Sequence, residues 1–199
     1  QGGAVTNAGY GPGAGSSYRG GSHGGVAGYY GWMSSAVYGS PTAPDQPGSG
    51  GGGGWGAAGG NGGGAVRIDA SGSVIVNGTV SANGADVNGT FACGGGSGGS
   101  IWISWRTIAG TNGFIRAGGG TAGSLAPSAG GGRIAVVYDP TAQDAAPVPA
   151  VQLSARGGTS SALLYNGDLG TLYSPNSRLL TSTIVHSGVW LAPGFTNWA

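Results

Sequence analysis

Carboxylates that act in pairs are the usual basis of acid and base catalysis, and the chain has six acidic residues, all of them aspartates. None of the six recurs at an equivalent position along the sequence, so the paired acid and base that sugar hydrolysis requires is not supported. No Gly-x-Ser-x-Gly sequence stands between a strand and a helix, where a serine nucleophile would need it. We therefore predict that the chain is not an enzyme.

The two histidines, His23 and His186, have no cysteine or acidic neighbour at the spacing of metal ligands. Calcium-binding β-rolls place Asp after Gly-Gly-x-Gly-x, whereas Ser100 follows residues 95–99 here. We expect the two histidines to lie at the surface or to cap an element. We predict neither a metal site nor any other cofactor.

Three further residues are candidates for covalent modification. Cys93 is the single cysteine of the chain, so it is either a small buried thiol or the partner of a cysteine in a second chain. Asn77 and Asn88 each open an Asn-Gly-Thr sequence, the acceptor for N-glycosylation in a eukaryotic secreted protein. For Asn77 a structural turn is an equal alternative, because the related Asn112-Gly113 keeps the turn residues without the Thr.

The composition favours strands over helices. Of 199 residues, 49 are Gly, 7% are charged, and none is Lys or Glu, so the usual material of an exposed helical face is missing. The net charge is +1 and the seven arginines are scattered, which argues against nucleic acid or an anionic membrane as a partner. No apolar run approaches the length of a membrane span.

The middle of the chain contains a repeat. Residues 63–68 are answered by residues 98–103 at an offset of 35, and a third copy begins at residue 131. We place the copies near 63–97, 98–130 and 131–169, and a weaker fourth copy begins at Gly170. Apolar residues alternate within each copy, which is the pattern of a strand.

These patterns predict an all-β fold with parallel β-helix or solenoid-like repeats over residues 63–174. Residues 1–62 combine Gly with large aromatic rings, so we expect this segment to pack on the repeats, with polyglycine II as one arrangement of its strands. Because Asn-Gly also favours tight hairpins, the alternative fold is an antiparallel β-sandwich with Gly-rich arms.

Residues 175–199 form an apolar C-terminal segment, which we expect either to cap the last repeat or to lie in a contact between subunits. The candidate contact residues are Trp190, Leu191, Phe195 and Trp198.

Arg67 and Trp102 occupy equivalent outward positions of the first and second copies. Stacking the copies would place the guanidinium of Arg67 against the ring of Trp102, a cation–π contact. The alternative is an exposed aromatic surface that binds sugar rings.

Two blocks of sequence resemble a known family. Residues 74–84, Val-Ile-Val-Asn-Gly-Thr-Val-Ser-Ala-Asn-Gly, are similar to the strand-turn-strand repeat of filamentous-haemagglutinin-like β-helices. Residues 95–103 resemble a recurrent block of very large, glycine-rich secreted or surface proteins. The resemblance implies an extracellular or cell-surface location and a structural or adhesive role, and it brings no catalytic residues.

Two function classes follow. The first is a structural protomer or module of an extracellular filament, coat or surface assembly, whose partners are copies of itself or other parts of a larger surface protein. The second is a carbohydrate-binding adhesin module, whose partner is a glycan.

Overall fold

The computed structural model describes residues 1–4, 7–29, 31, 35–87, 92–123, 125–161, 163–176, 186–192 and 195–196. In this part of the chain, strands β1 to β12 span Ala65–Asp69, Ser73–Ile75, Thr79–Ser81, Ser100–Trp105, Thr107–Ala109, Gly113–Arg116, Arg133–Tyr138, Val151–Ser154, Thr171–Tyr173, His186–Ser187, Val189–Ala192 and Phe195–Thr196. A short helix α1 spans Pro140–Asp144, and a 3₁₀ turn spans Leu163–Tyr165. The described chain is rich in strands with very little helix, in agreement with the predicted all-β class.

The strands form three sheets. The largest contains β1, β4, β7, β9, β11 and β12 in that order, the second contains β3, β6, β8 and β10, and the third contains β2 and β5. Each strand pair is parallel except that of β11 with β12. In the largest sheet Ala65 pairs with Ser100, Ser100 with Arg133, and Arg133 with Thr171. The register therefore joins equivalent residues of successive copies, including the weak fourth copy.

The alternative expectation of an antiparallel sandwich is wrong. It required Asn77-Gly78 to close a hairpin, but the strands before and after this turn, β2 and β3, pair with β5 and β6 rather than with each other. The turn connects strands that belong to two different sheets. The backbone N–H and C=O groups of these strands form hydrogen bonds with the next copy rather than within a local hairpin.

The hydrophobic core lies between the inward faces of the sheets. Inward side chains of β4 and β7 are almost completely buried, and so are those of β6 and β8. The core cluster includes Ile101, Ile103, Ile134, Val136, Ile115, Leu153 and Leu172. Equivalent branched side chains from successive copies thus stack on one another, and each contributes about 1.5–3 kcal/mol when fully buried.

Helix α1 stands where a third strand of the β2–β5 sheet would be expected. The side chain of Gln143 accepts a hydrogen bond from the Ile108 N–H at 2.7 Å and donates one to the Ile108 carbonyl oxygen at 3.2 Å. One side-chain amide therefore replaces a strand partner at the edge of β5. Asp139 starts the helix by accepting a hydrogen bond from the Ala142 N–H at 3.1 Å.

The glycine-rich segments hydrogen-bond through their backbones at every third residue. Donor-to-acceptor pairs between three segments are Gly48 to Gly63, Gly51 to Gly60, Gly60 to Gly94, Gly63 to Ser97, Gly94 to Gly52 and Ser97 to Ser49, all at 2.8–2.9 Å. Each of the three segments forms hydrogen bonds with both of the others. In a flat sheet the two outer strands could not pair with each other, so the three segments are arranged around a common axis. The first 62 residues are thereby connected directly to the repeats.

The backbones in this region approach each other closely. A Cβ atom on Gly51 would overlap the carbonyl oxygens of Gly94 and Gly95, and one on Gly54 would overlap that of Ala92. Glycine is required here by space rather than by turn geometry. Among the described residues, no helix has the length and apolar character needed to cross a lipid bilayer.

Candidate functional site

The first copy of the repeat forms one end of the strand array. Its three strands, β1, β2 and β3, each lie at an edge of their sheet, and within the described chain each pairs with a single neighbour. An edge strand carries a row of N–H and C=O groups that can pair with another strand. This end of the array therefore offers three parallel strand edges together.

The inward side chains of the first copy are only half-buried. Val66, Ile68, Val74 and Val80 pack against the core from its margin. Their equivalents in the next copy, Ile101, Ile103, Ile108 and Ile115, are 0–3% exposed. The side chains are alike, so the difference reflects the position of the first copy, whose strands are the terminal strands of their sheets.

The backbone of β1 shows which groups face the open edge. Ser100 in β4 donates to the carbonyl oxygen of Gly64 at 3.0 Å, and Ala70 donates to that of Ser104 at 2.9 Å. Because consecutive residues of a strand point their backbone groups to opposite sides, the N–H of Ala65 points away from β4. In the same way Phe114 donates to Gly78, so the N–H of Thr79 points away from β6.

The predicted contact between Arg67 and Trp102 is present. The two residues are paired in register, and the guanidinium carbon lies 4.2 Å from the centroid of the ring. Arg67 is exposed and also forms an ion pair with Asp69 at 3.2 Å, while Trp102 is half-buried. One face of the ring is therefore covered by the chain itself, which leaves less of it for a sugar.

Asn77 holds two copies together. Its side-chain oxygen accepts a hydrogen bond from the N–H of Thr111 at 3.0 Å, across 34 residues of sequence. This contact supports the structural-turn alternative, whereas the exposed position of Asn77 also leaves it accessible for glycosylation, which stays a prediction. Asn88, the second candidate acceptor, lies outside the described residues.

Cys93 is buried with 0% of its surface exposed, and its thiol lies 3.5 Å from the carbonyl oxygen of Ala57. Of the two alternatives for this residue, the small buried thiol is favoured. A disulfide to a second chain would require the glycine-rich region around Cys93 to open.

The C-terminal segment continues the sheets of its own chain. Val189 donates to the carbonyl oxygen of Gly170 at 2.8 Å, and Leu191 accepts from the N–H of Ser174 at 3.0 Å. Trp190 lies in the same strand, β11, and Phe195 lies in β12, whose backbone pairs with β11. These contacts favour the capping alternative; Trp198 lies outside the described residues.

A buried polar cluster, which the sequence did not predict, joins the first segment to the repeats. His23 was expected at the surface or capping an element, but it is completely buried, and its Nδ1 donates to the carbonyl oxygen of Gly98 at 2.8 Å. Its ring lies 4.5 Å from that of Tyr38. Arg133 donates to the carbonyl oxygen of Tyr38 at 2.8 Å and to the hydroxyl of Thr171 at 3.1 Å.

Burial is the main reason that the pKa of His23 is lowered to about 4, and the charge of Arg133 also lowers it, while the hydrogen bond to Gly98 opposes the shift. The neutral ring therefore prevails at physiological pH, and its Nε2 has no hydrogen-bond partner within the described part of the chain. A lone histidine in a glycine-rich sequence carries no periodic signal, so sequence reasoning could not place it in the core.

Within the described ranges, no three His, Cys, Asp or Glu side chains come close enough together to hold a metal ion. No protein-family model matches the chain, and neither a curated protein nor a solved structure matches it. The resemblance to filamentous-haemagglutinin-like repeats thus stays a prediction.

Proposed function

We propose that the chain is a structural module of an extracellular or cell-surface assembly, built as a parallel β-helix, and that the strand edges of its first copy pair with another module. The observation that carries this proposal is the open end of the array. Three strand edges and four half-buried apolar side chains meet there, in place of the full burial found one copy further on.

The way in which each sheet is assembled from the copies supports the proposed β-helix. Each of the two larger sheets receives one strand from each successive copy, in parallel and in register, and the inward side chains stack in rows. We infer that the glycine-rich segments form a polyglycine II bundle beside it, because hydrogen bonds at every third residue to two different neighbours fit a threefold helix.

These features suit a structural role. Backbone hydrogen bonds in a bundle of glycines need no side chains, so the region can be dense and uncharged. With 7% charged residues and a net charge of +1, the surface also provides little repulsion between copies. The partner at the open end is a second copy of the chain or another part of a larger surface protein.

The carbohydrate-binding alternative at Arg67 and Trp102 has less support, because the guanidinium covers the ring. Contact between subunits through Trp190, Leu191, Phe195 and Trp198 also has less support than the open end, since β11 pairs with β9 of its own chain.

The test removes one outward N–H from each of two edges. The double variant Ala65→Pro and Thr79→Pro leaves the hydrogen bonds to β4 and β6 intact, because proline is tolerated where the N–H faces solvent. The matched control is Ala65→Ser with Thr79→Ser. Sedimentation and electron microscopy should show multimers for the native chain and the control, and dispersed particles for the proline variant with unchanged circular dichroism. A native chain that stays monomeric at high concentration would refute pairing with a second copy, and a folded proline variant that still assembles would refute pairing through these strand edges.

A further inference from the structure

A polar groove of about 370 Å³ lies on the outer face of the sheet that contains β3, β6 and β8. It is on a different sheet from Arg67 and Trp102. The side chains that matter for its chemistry are those of Asn83, Asp86, Arg116, Gln152, Arg156 and Thr159.

Two guanidinium groups give the groove its charge. Both Arg116 and Arg156 are exposed, and among the described residues neither forms an ion pair. Arg116 is held over the ring of Phe114, with 4.2 Å between its guanidinium carbon and the ring centroid. Asp86 is the one carboxylate in the lining, and its side-chain oxygen already accepts the N–H of Thr121 at 2.7 Å. The groove is therefore suited to a ligand with negative charge.

Gly118 leaves a slot in the floor between Asn83 and Arg156. A Cβ atom on Gly118 would lie 3.4 Å from the side-chain oxygen of Asn83 and 3.8 Å from Cγ of Arg156, which are ordinary contacts. By contrast, a Cβ atom on the next residue, Gly119, would overlap the carbonyl oxygen of Ala129. Packing thus requires glycine at position 119 but not at 118, where its effect is to keep the floor open.

The side-chain amide of Asn83 is held in one orientation. Its side-chain oxygen accepts the N–H of Gly118 at 2.7 Å, so the amide cannot turn over without losing this bond. Its NH₂ group has no partner among the described residues and is left to donate. Gln152 and Thr159 add further neutral hydrogen-bonding groups to the same lining.

We propose that this groove binds an acidic polysaccharide, a glycan chain that carries carboxylate groups. Arg116 and Arg156 would pair with the carboxylates, because the planar guanidinium fits a carboxylate with two hydrogen bonds. The amide and hydroxyl side chains suit sugar hydroxyls, and the open floor at Gly118 lets a sugar ring approach the backbone. This inference goes beyond the proposed structural role and does not depend on it.

The lining favours a glycan over nucleic acid. Two guanidinium groups and one carboxylate provide a small net charge, whereas nucleic acid is usually held by many cations. One face of the Phe114 ring is covered by Arg116, which removes a surface for stacking a base. An acidic peptide remains the competing ligand that an experiment must separate.

Calorimetry with polygalacturonate, a neutral galactan and polyglutamate tests the proposal. We expect polygalacturonate alone to bind, with an affinity that decreases as salt is added. Arg116→Gln, Arg156→Gln and Gly118→Leu should each weaken binding about tenfold or more, since a charge-assisted pair or the floor of the site is lost. The matched control, Arg106→Gln, removes the same charge from an exposed position outside the groove and should bind as the native chain does.

Absence of polygalacturonate binding, or an equal loss with Arg106→Gln, would overturn the proposal. Equal or tighter binding of polyglutamate would replace the glycan by an acidic peptide. Sedimentation of the same variants keeps the two proposals apart, because Arg116→Gln and Arg156→Gln should still assemble.

Discussion

At the scale of single residues, the side chain of His23 is tightly constrained. It is completely buried between the first segment and the repeats, it donates to Gly98, and its Nε2 has no partner among the residues that the structure describes. Adding a proton to this ring would place a charge in the core beside Arg133, which explains why burial lowers the pKa of His23 to about 4.

The folded state should therefore lose stability in weak acid. Below pH 6.5 the unfolded chain protonates this histidine, whereas the folded chain does not until about pH 4. Stability from this group is complete above pH 6.5 and decreases as the pH falls to about 4, by about 3 kcal/mol at most. Urea unfolding between pH 7 and pH 4 measures this change.

The control for this prediction removes the titratable ring. His23→Gln, which can still donate to Gly98, should flatten the dependence on pH in this interval. Equal slopes for His23→Gln and the native chain would show that the buried ring is not its source.

At the scale of elements, the glycine-rich segments and the strands differ in the side chains that they tolerate. A strand tolerates many side chains on its outer face, but a glycine segment surrounded by backbone tolerates none. We predict that Gly51→Ala destabilises the fold by about 1–3 kcal/mol or more, because its methyl group would overlap two carbonyl oxygens that cannot move independently.

Gly118→Ala is the matched control for this change. Its nearest neighbour would be 3.4 Å away, so the fold should lose little stability or gain about 0.4–1 kcal/mol from a stiffer unfolded chain. Chemical denaturation of the two variants measures the difference. Equal losses at the two positions would mean that close backbone packing is not what selects glycine at position 51.

The sequence predicted the strands better than the glycine-rich segments for a physical reason. Ile101 and Ile134 mark equivalent inward positions with equivalent side chains, so register could be derived from the offset. Gly51 has no side chain that could indicate its partners. It donates a hydrogen bond to Gly60 and accepts one from Gly3, and no sequence pattern relates these segments. The outward contact of Arg67 with Trp102 was predictable because both belong to the repeat.

Features that depend on a break in the repeat were not predicted. Helix α1 is too short for a periodic signal, and Gln143 binds Ile108 across 35 residues by replacing a strand. The groove was missed because Arg116 and Arg156 do not occupy equivalent positions of the repeat. The residue of the second copy that lies between Asn83 and Arg156 is Gly118, not Arg116. Asn83 accepts a hydrogen bond from a backbone N–H 35 residues later. An Asn or Asp placed in this way is a signal that could have indicated the groove.

At the scale of the whole molecule, the two ends of the array are unequal. The first copy exposes three strand edges, whereas the last copy is continued by β10 and β11, and β12 pairs antiparallel with β11. A module whose largest sheet ends in a parallel strand at one side and in an antiparallel strand at the other can join a partner in a defined direction. The orientation of assembly would then be set by the first copy.

Removing residues 189–199 tests this asymmetry. Because β11 then no longer covers the edge of β9 or the buried Leu172, we expect a loss of a few kcal/mol in the free energy of unfolding, about the size of one large core deletion. Assembly should be retained or increased, since the first copy is intact and a second strand edge becomes free. A chain that lacks only residues 197–199 keeps β11 and serves as the control. Sedimentation and urea unfolding of both chains decide the matter: assembly that disappears while stability is unchanged would place the contact at Trp190, Leu191 and Phe195 instead of at the first copy.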